Sequence, residues 1–331
     1  MTDGPIVDFA PYNRLAQASL ARWGMSPRAQ ARMVNYSENI TYLVDDPDSG
    51  ARAVLRLHRP GYHSDAAIHS ELAWLAALRS EAGVEVPQAL PAHDGSILQV
   101  LHSDELPQPR RAALFSYLDG SEPAGELGPS FEQLGEITAR LHLHAQGWRP
   151  PAGFTRFTWD YDTMLGGPTL HWGRWQDGLG VQGEAATVLQ RLCDTLQRRL
   201  AQFGSGPNRR GLIHADLRLA NLLVDEGRVK VIDFDDCGFG WYFYDYGTSL
   251  SFIENRTDVP DLTDAWLRGY RRVAPLSAAD EAELPTFLLL RRLMLVAWLG
   301  SHHDTSLARE LGVPYTMDSC TLAETYLSRF G

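Results

Sequence analysis

The stretch Leu212–Asp236, LIHADLRLANLLVDEGRVKVIDFDD, decides how this chain is read. Two apolar runs, LLV and VKVI, flank a DEGR turn that contains Gly227, so together they read as a short β-hairpin. His214, Asp216, Arg218 and Asn221 precede the first run. Asp233, Asp235 and Asp236 follow the second. In an antiparallel pair the start of one strand lies beside the end of the next. Asn221 and Asp233 are therefore expected side by side at the open end of the hairpin, with Asp216 close by. An amide and a carboxylate held together are oxygen ligands suited to a hard cation such as Mg2+. A second carboxylate, not needed by the metal, is free to accept a proton from a hydroxyl.

Composition sets the frame around this stretch. The chain has 331 residues, 44% hydrophobic and 21% charged, which is ordinary globular composition and long enough for two lobes. Its net charge of -11 argues against a nucleic-acid partner, since phosphate-backbone binding needs a basic face. The three cysteines, Cys193, Cys237 and Cys320, show neither disulfide-framework nor zinc spacing, as expected in a reducing cytoplasm. The opening MTDGPIVDFA lacks a signal-peptide pattern. The apolar run LPTFLLLRRLMLVAWLG carries Arg291 and Arg292 in its middle and reads as a buried core helix, so no membrane partner is expected.

Upstream of the hairpin, residues 10–32 read as a helical lead-in and 31–59 as strands, NITYLV and ARAVLRLH around a DDPDSG turn. Residues 64–81 have helical spacing of Ala66, Ile68, Leu72, Leu75 and Leu78. VEVPQALPAHDGSILQVL reads as further strands around an Asp-Gly turn, and RAALFSYLDG closes this half. Beyond Gly120 the pattern turns helical. Ser130 followed by Gln133 reads as a capping-box start, residues 184–202 form another helix, and helices return from Asp261 to the end. The expected class is α+β: a small antiparallel-sheet lobe over 1–114, a hinge over 115–120, and a mainly helical lobe over 121–331. A cleft between two lobes is a natural ligand site.

One acid to orient a hydroxyl, with an Asn and an Asp for Mg2+, is the part list of phosphoryl transfer from ATP. Protein kinases carry His-Arg-Asp-x-x-x-x-Asn and then Asp-Phe-Gly. Here the first part is His214-Ala-Asp216-x-x-x-x-Asn221. The second is Asp233-Phe234-Asp235, without the glycine. HADLRLAN, VIDFDD and YDYG resemble the motifs of the aminoglycoside phosphotransferase and choline kinase family, of protein-kinase-like two-lobe fold. VIDFDDCGFGWYFYDYG is similar in style to its type II homoserine kinase-like branch and to the bacterial stress-response kinases.

The resemblance covers nearly the whole chain and implies roles. Asp216 would be the catalytic base, with Asn221 and Asp233 as Mg2+ ligands. Arg56 stands where the family often has a phosphate-binding Lys, with Glu71 as its ion-pair partner. Arg218 would meet the developing charge of the transferred group. Ser37 and Asn39 would lie in the nucleotide-covering hairpin, and Phe115, Tyr117 and Leu118 would line the adenine at the hinge. Asp245 would brace the catalytic loop by accepting backbone N–H bonds. The cofactors implied are ATP and Mg2+. The partner is a small-molecule hydroxyl substrate, with an amino alcohol such as homoserine favoured on this resemblance and on Asp160, Asp162, Asp235 and Asp236.

Other features read more plainly. His214 is expected to pack or bond to the loop backbone. His142/His144 and His302/His303 are spaced so that their side chains diverge on a helix, which disfavours metal. Trp159, Trp172, Trp175, Trp241, Tyr242 and Tyr244 fit a core better than a cation-binding wall. Asp235 and Asp236 stay open between site and solvent. Two rival functions also stay open, a protein Ser/Thr kinase and a non-catalytic nucleotide-binding regulator. The short passage from Asp233 to YDYG argues against the first and the retained acids against the second.

Overall fold

The computed structural model describes residues 8–36 and 39–331. The chain divides into two compact units, Met1–Asp119 with Pro150–Thr155, and Gly120–Arg149 with Arg156–Gly331.

The first unit opens with α1 (Ala10–Ser19) and a single 3-10 turn ending at Gly24, whose φ of 73° stops the helix. The lead-in expected to stay helical as far as residue 32 therefore ends early, and β1 (Gln30–Tyr36) takes its last residues. β2 (Ile40–Asp46), β3 (Ala51–Leu57), α2 (Asp65–Ala77), β4 (Ala89–Leu90), β5 (Gln99–Leu101) and β6 (Arg110–Ser116) follow. The sheet is antiparallel in the order β1-β2-β3-β6-β4, with β5 also on β6. Strand alternation in β2 buries Ile40, Tyr42 and Val44 against Leu55, Leu57, Ala112 and Leu114, and Leu15 and Leu20 pack onto this core. The segment around Asp94-Gly95 holds two short strands that do not pair with each other. Both run along the same strand, β4 opposite Leu114–Phe115 and β5 opposite residues 110–112.

The second unit is mostly helical. It contains α3 (Gly128–Gly147), β7 (Phe157–Trp159), α4 (Gly183–Phe203), β8 (Arg210–Ile213), β9 (Leu222–Asp225), β10 (Arg228–Val231), β11 (Gly238–Trp241), α5 (Tyr244–Ser249), α6 (Val259–Val273), α7 (Ala278–Glu281), α8 (Leu284–Ser301) and α9 (Ser306–Phe330). α9 is broken at Gly312, two residues ahead of Pro314. α3 starts two residues before Ser130, with Pro129 in its first turn and no side-chain cap, so the expected capping box does not form. Gln133 instead reaches the hairpin: its Nε2 donates to Gly227 O at 2.7 Å and its Oε1 accepts Val229 N–H at 3.1 Å. α3 and α6 cross closely because both are glycine at the contact. A Cβ on Gly269 would come within 1.8 Å of Glu132 O, and one on Gly135 within 2.0 Å of Trp266 O.

The hairpin is β9 paired antiparallel with β10. A second small sheet, β7-β11-β8, was not foreseen in the sequence. α8 is buried along nearly its whole length, Arg291 and Arg292 included. The segment Ala278–Ser301 is long and apolar enough to cross a membrane by length and composition, but it lies in the core of this unit.

Candidate active site

β8 delivers the chain into the core at Ile213, and Ala215 then adopts φ 67°, a left-handed turn unusual for a residue with a Cβ. The turn is held from α5. Asp245, fully buried, accepts His214 N–H at 3.1 Å and Ala215 N–H at 2.7 Å. One helical turn on, Thr248 Oγ1 accepts Leu217 N–H at 2.9 Å. Hydrogen bonds to a charged acceptor contribute roughly 1.5–3 kcal/mol each, enough to hold such a turn. The His214 ring is structural. Its Nδ1 accepts Asp216 N–H at 3.2 Å, so Nε2 carries the proton and donates to Ile232 O, also at 3.2 Å. The ring also packs on Phe234, 4.3 Å between centroids.

Asp216 projects from this turn with 14% of its side chain exposed. Its Oδ1 lies 2.5 Å from Arg291 Nη2. Its Oδ2 accepts from Arg218 Nε at 3.1 Å and from Asn221 Nδ2 at 2.7 Å. Burial alone would raise this carboxyl. The Arg218 and Arg291 guanidiniums outweigh it and hold the group below the ordinary carboxylate range. Arg218 is raised in turn, chiefly by Asp216 against the cost of burial, with Asp233 adding to the field. Its Nη1 and Nη2 donate to no acceptor among the described residues.

The hairpin carries the other two residues. Ile232 N–H donates to Asn221 O at 2.9 Å, so Asp233 leaves the ladder next to Asn221. Asp233 is exposed and takes φ 62°, a strained value for a non-glycine residue. Asn221 donates through Nδ2 to both Asp216 O and Oδ2, and its Oδ1 meets no donor among the described residues. An amide oxygen and an exposed carboxylate on adjacent backbone fit a hard divalent cation. No cluster of three or more His, Cys, Asp or Glu that could hold a metal ion occurs among the described residues.

Beyond Asp233, Arg156 holds the backbone by donating to Cys237 O at 2.7 Å and to Asp235 O, and Trp159 Nε1 donates to Asp236 O at 2.8 Å. Asp235 is buried and is therefore not a solvated surface acid. Asp160 is spent locally, on Arg210 at 3.2 Å and on Thr163 N–H at 3.0 Å, whereas Asp162 is exposed. All six aromatics weighed as a cation-binding wall are buried, Trp159 and Tyr244 completely.

In the first unit, Arg56 on β3 meets Glu71 on α2 at 2.6 Å, both buried. The Arg56 guanidinium also lies 4.9 Å from the Phe115 ring centroid. Tyr117 stacks under Arg52 at 3.7 Å, and Leu118 is half-buried just beyond β6. Asn39 is buried, with its Oδ1 accepting Arg59 N–H at 3.1 Å, so it anchors the strand end. Ser37 lies outside the described residues.

A family model described as the phosphotransferase enzyme family matches residues 35–276. The chain belongs to that family. A solved microcompartment-associated aminopropanol kinase is 48% identical, with a TM-score of 0.88 over 96% of this chain and 98% of that one. An amicoumacin kinase in complex with AMP-PNP, Ca2+ and Ami shares the fold, with a TM-score of 0.75 at 21% identity over 95% of this chain and 92% of that one. The homoserine kinase of Gluconobacter oxydans (strain 621H) is 28% identical over 265 residues, 74% of this chain and 77% of that one. The fold is thus the kinase-like α+β fold, and the protein is an ATP-dependent phosphotransferase rather than a non-catalytic regulator.

Several residues that support the site of this phosphotransferase were given no part in it from the sequence. His142 was set aside as a non-ligand. It bridges α3 to the site, with Nε2 3.2 Å from Asp245 Oδ2 and Nδ1 3.1 Å from Tyr270 OH. Thr248 and Gln133 brace the loop and the hairpin turn. Arg291 was read only as a reason to exclude a membrane span. A guanidinium in the middle of an apolar helix needs a buried partner, and that was the signal available in the sequence.

Proposed function

We propose that this phosphotransferase transfers the γ-phosphoryl group of ATP to the hydroxyl of a small amino alcohol. The observation that carries the reaction is the convergence on Asp216: one ionised carboxylate, not fully covered, held by Arg291, Arg218 and Asn221 within a turn braced from α5. Asp216 orients the acceptor hydroxyl and accepts its proton. Arg218, with Nη1 and Nη2 unspent among the described residues, meets the charge on the transferred group. Asn221 Oδ1 and Asp233 hold Mg2+, which when bound neutralises phosphate charge. Arg56, pinned by Glu71, binds phosphate oxygens. Positioning and electrostatics supply most of the rate.

The substrate class rests on likeness. The 48% identical relative is named an aminopropanol kinase, and the homoserine kinase is more distant at 28%. Homoserine adds a carboxylate to the amino alcohol. Arg291, the buried cation beside Asp216, has each of its nitrogens engaged by protein and offers that carboxylate nothing. Aminopropanol is accordingly preferred over homoserine. The test is ADP release with ATP and Mg2+ across aminopropanol, ethanolamine, homoserine, aminoglycosides and a protein substrate. Highest kcat/KM on an unsubstituted amino alcohol is expected. Turnover confined to aminoglycosides or to protein overturns the reading.

A further inference from the structure

Three residues at a spacing of three, Asp245, Thr248 and Ser251, run from α5 into the turns that follow it, and each supports the loop that bears Asp216. Asp245 and Thr248 hold the backbone of His214, Ala215 and Leu217. Ser251 acts one step removed: its Oγ accepts Arg291 Nε at 2.9 Å, and its own hydroxyl donates to Thr248 O at 2.7 Å. Arg291 then spans from Ser251 to the Asp216 carboxylate. Its Nη1 lies 3.4 Å from both Ala215 O and Tyr244 OH, and its Nη2 is on Asp216 Oδ1. The guanidinium sits 5.1 Å from the Trp172 ring centroid, with 2% of the side chain exposed.

The two oxygens of Asp216 are thus held from different places. Oδ2 is held by Arg218 and Asn221, which belong to the same loop and move with it. Oδ1 is held from α8, a helix buried in the core. A carboxylate's terminal torsion is broad and two-fold, so contacts within the loop do not set its plane against the rest of the unit. Arg291 does. We propose that Arg291 is a positioning residue for phosphoryl transfer, fixing the plane of the Asp216 carboxylate relative to the helical core so that the acceptor hydroxyl meets it in one orientation. The inference rests on Asp216 being the hydroxyl-orienting acid.

A structural cation in this place would contribute to stability without separating kcat from KM. A positioning cation separates them. The experiment compares Arg291→Gln, Arg291→Lys, Ser251→Ala and Asp216→Asn, with melting temperature as the fold check and steady-state kinetics for ATP and for the amino alcohol. Arg291→Gln should lower kcat by about 100-fold, the scale of a misplaced reacting group, with both KM values within about threefold of wild type. Arg291→Lys keeps the cation but cannot reach Ser251 and Asp216 together. It should recover part of the loss, and Ser251→Ala should lower kcat several-fold. If Arg291→Gln does not fold, Arg291→Lys decides. Wild-type kcat in Arg291→Lys, or losses that track melting temperature alone, overturns the inference. Loss of turnover in Asp216→Asn beside unchanged Arg291 variants sinks the role of Arg291 and leaves the proposed function standing. Unchanged turnover in Asp216→Asn removes Asp216 from the hydroxyl-orienting role and overturns the inference with it.

Discussion

His142 Nε2 lies 3.2 Å from Asp245 Oδ2, with both side chains withdrawn from solvent. The contact ties α3 to the start of α5, and Tyr270 on the other ring nitrogen extends the tie to α6. The same carboxylate accepts the two amides that shape the turn before Asp216. One buried acid therefore couples helix packing to loop geometry.

Replacing Asp245 by Asn should be costly in both respects. The amide cannot offer two acceptor oxygens, so one buried N–H loses its partner at a cost of about 1–3 kcal/mol. Urea denaturation should show this loss, and turnover should fall further than the stability change alone accounts for. His142→Ala should destabilise by a similar amount with a smaller effect on turnover. An Asp245→Asn variant as stable as wild type would remove Asp245 from its bracing role.

Arg56 and Glu71 form a buried pair in the first unit. Breaking such a pair leaves one charge uncompensated, at a cost of about 3–5 kcal/mol. Glu71→Gln should lower stability accordingly and raise KM for ATP more than KM for the acceptor. Arg56→Lys should be tolerated better in folding, but a point charge replaces a planar fork, so KM for ATP should still rise. Equal effects on both KM values would argue against a nucleotide role.

Asp216→Asn should lower kcat by about 10²–10⁴ while leaving ATP affinity close to wild type. Asp233→Ala should instead weaken productive nucleotide binding and flatten the dependence on Mg2+. Isothermal titration with an ATP analogue, with and without Mg2+, separates the two.

Gln133→Ala should loosen the hairpin. Both of its bonds to the turn would be lost, at about 1 kcal/mol each, and hydrogen exchange at Val229 should accelerate. Unchanged protection there would mean that the strand pairing alone holds the turn.

Burial pushes Tyr42, Tyr242, Tyr244 and Tyr246 each up to about 12. In the unfolded chain these phenols ionise near the ordinary value of about 10. The folded state therefore holds protons that the unfolded state has lost, and stability falls as pH rises from about 10 towards 12. Phenolate absorbance should lag behind that of exposed tyrosines and then rise together with loss of near-ultraviolet circular dichroism. A smooth titration of all tyrosines near pH 10 in folded protein would contradict this.

Much of this molecule was legible in local pattern. Alternation in NITYLV, helical spacing in SELAWLAAL and turn chemistry in DEGR each act over a few residues, so strand, helix and hairpin could be read from neighbours alone. The pairing rule for antiparallel strands was enough to bring Asn221 next to Asp233. Local pattern misled where a distant partner took over. Ser130 and Gln133 have capping-box spacing, but Pro129 starts the helix earlier and Gln133 spends its amide on the hairpin turn. The segment around Asp94-Gly95 looks like a hairpin, yet both of its strands pair with β6 instead.

The order of charged and apolar residues by itself determined the α+β class, the hairpin and the phosphotransferase motifs, because each depends on spacing along the chain. Which cation holds the acid was decided only in three dimensions. Arg291 and Asp216 are 75 residues apart. A buried charge must find its counter-charge wherever the packed helices bring one, and sequence separation carries no record of that meeting.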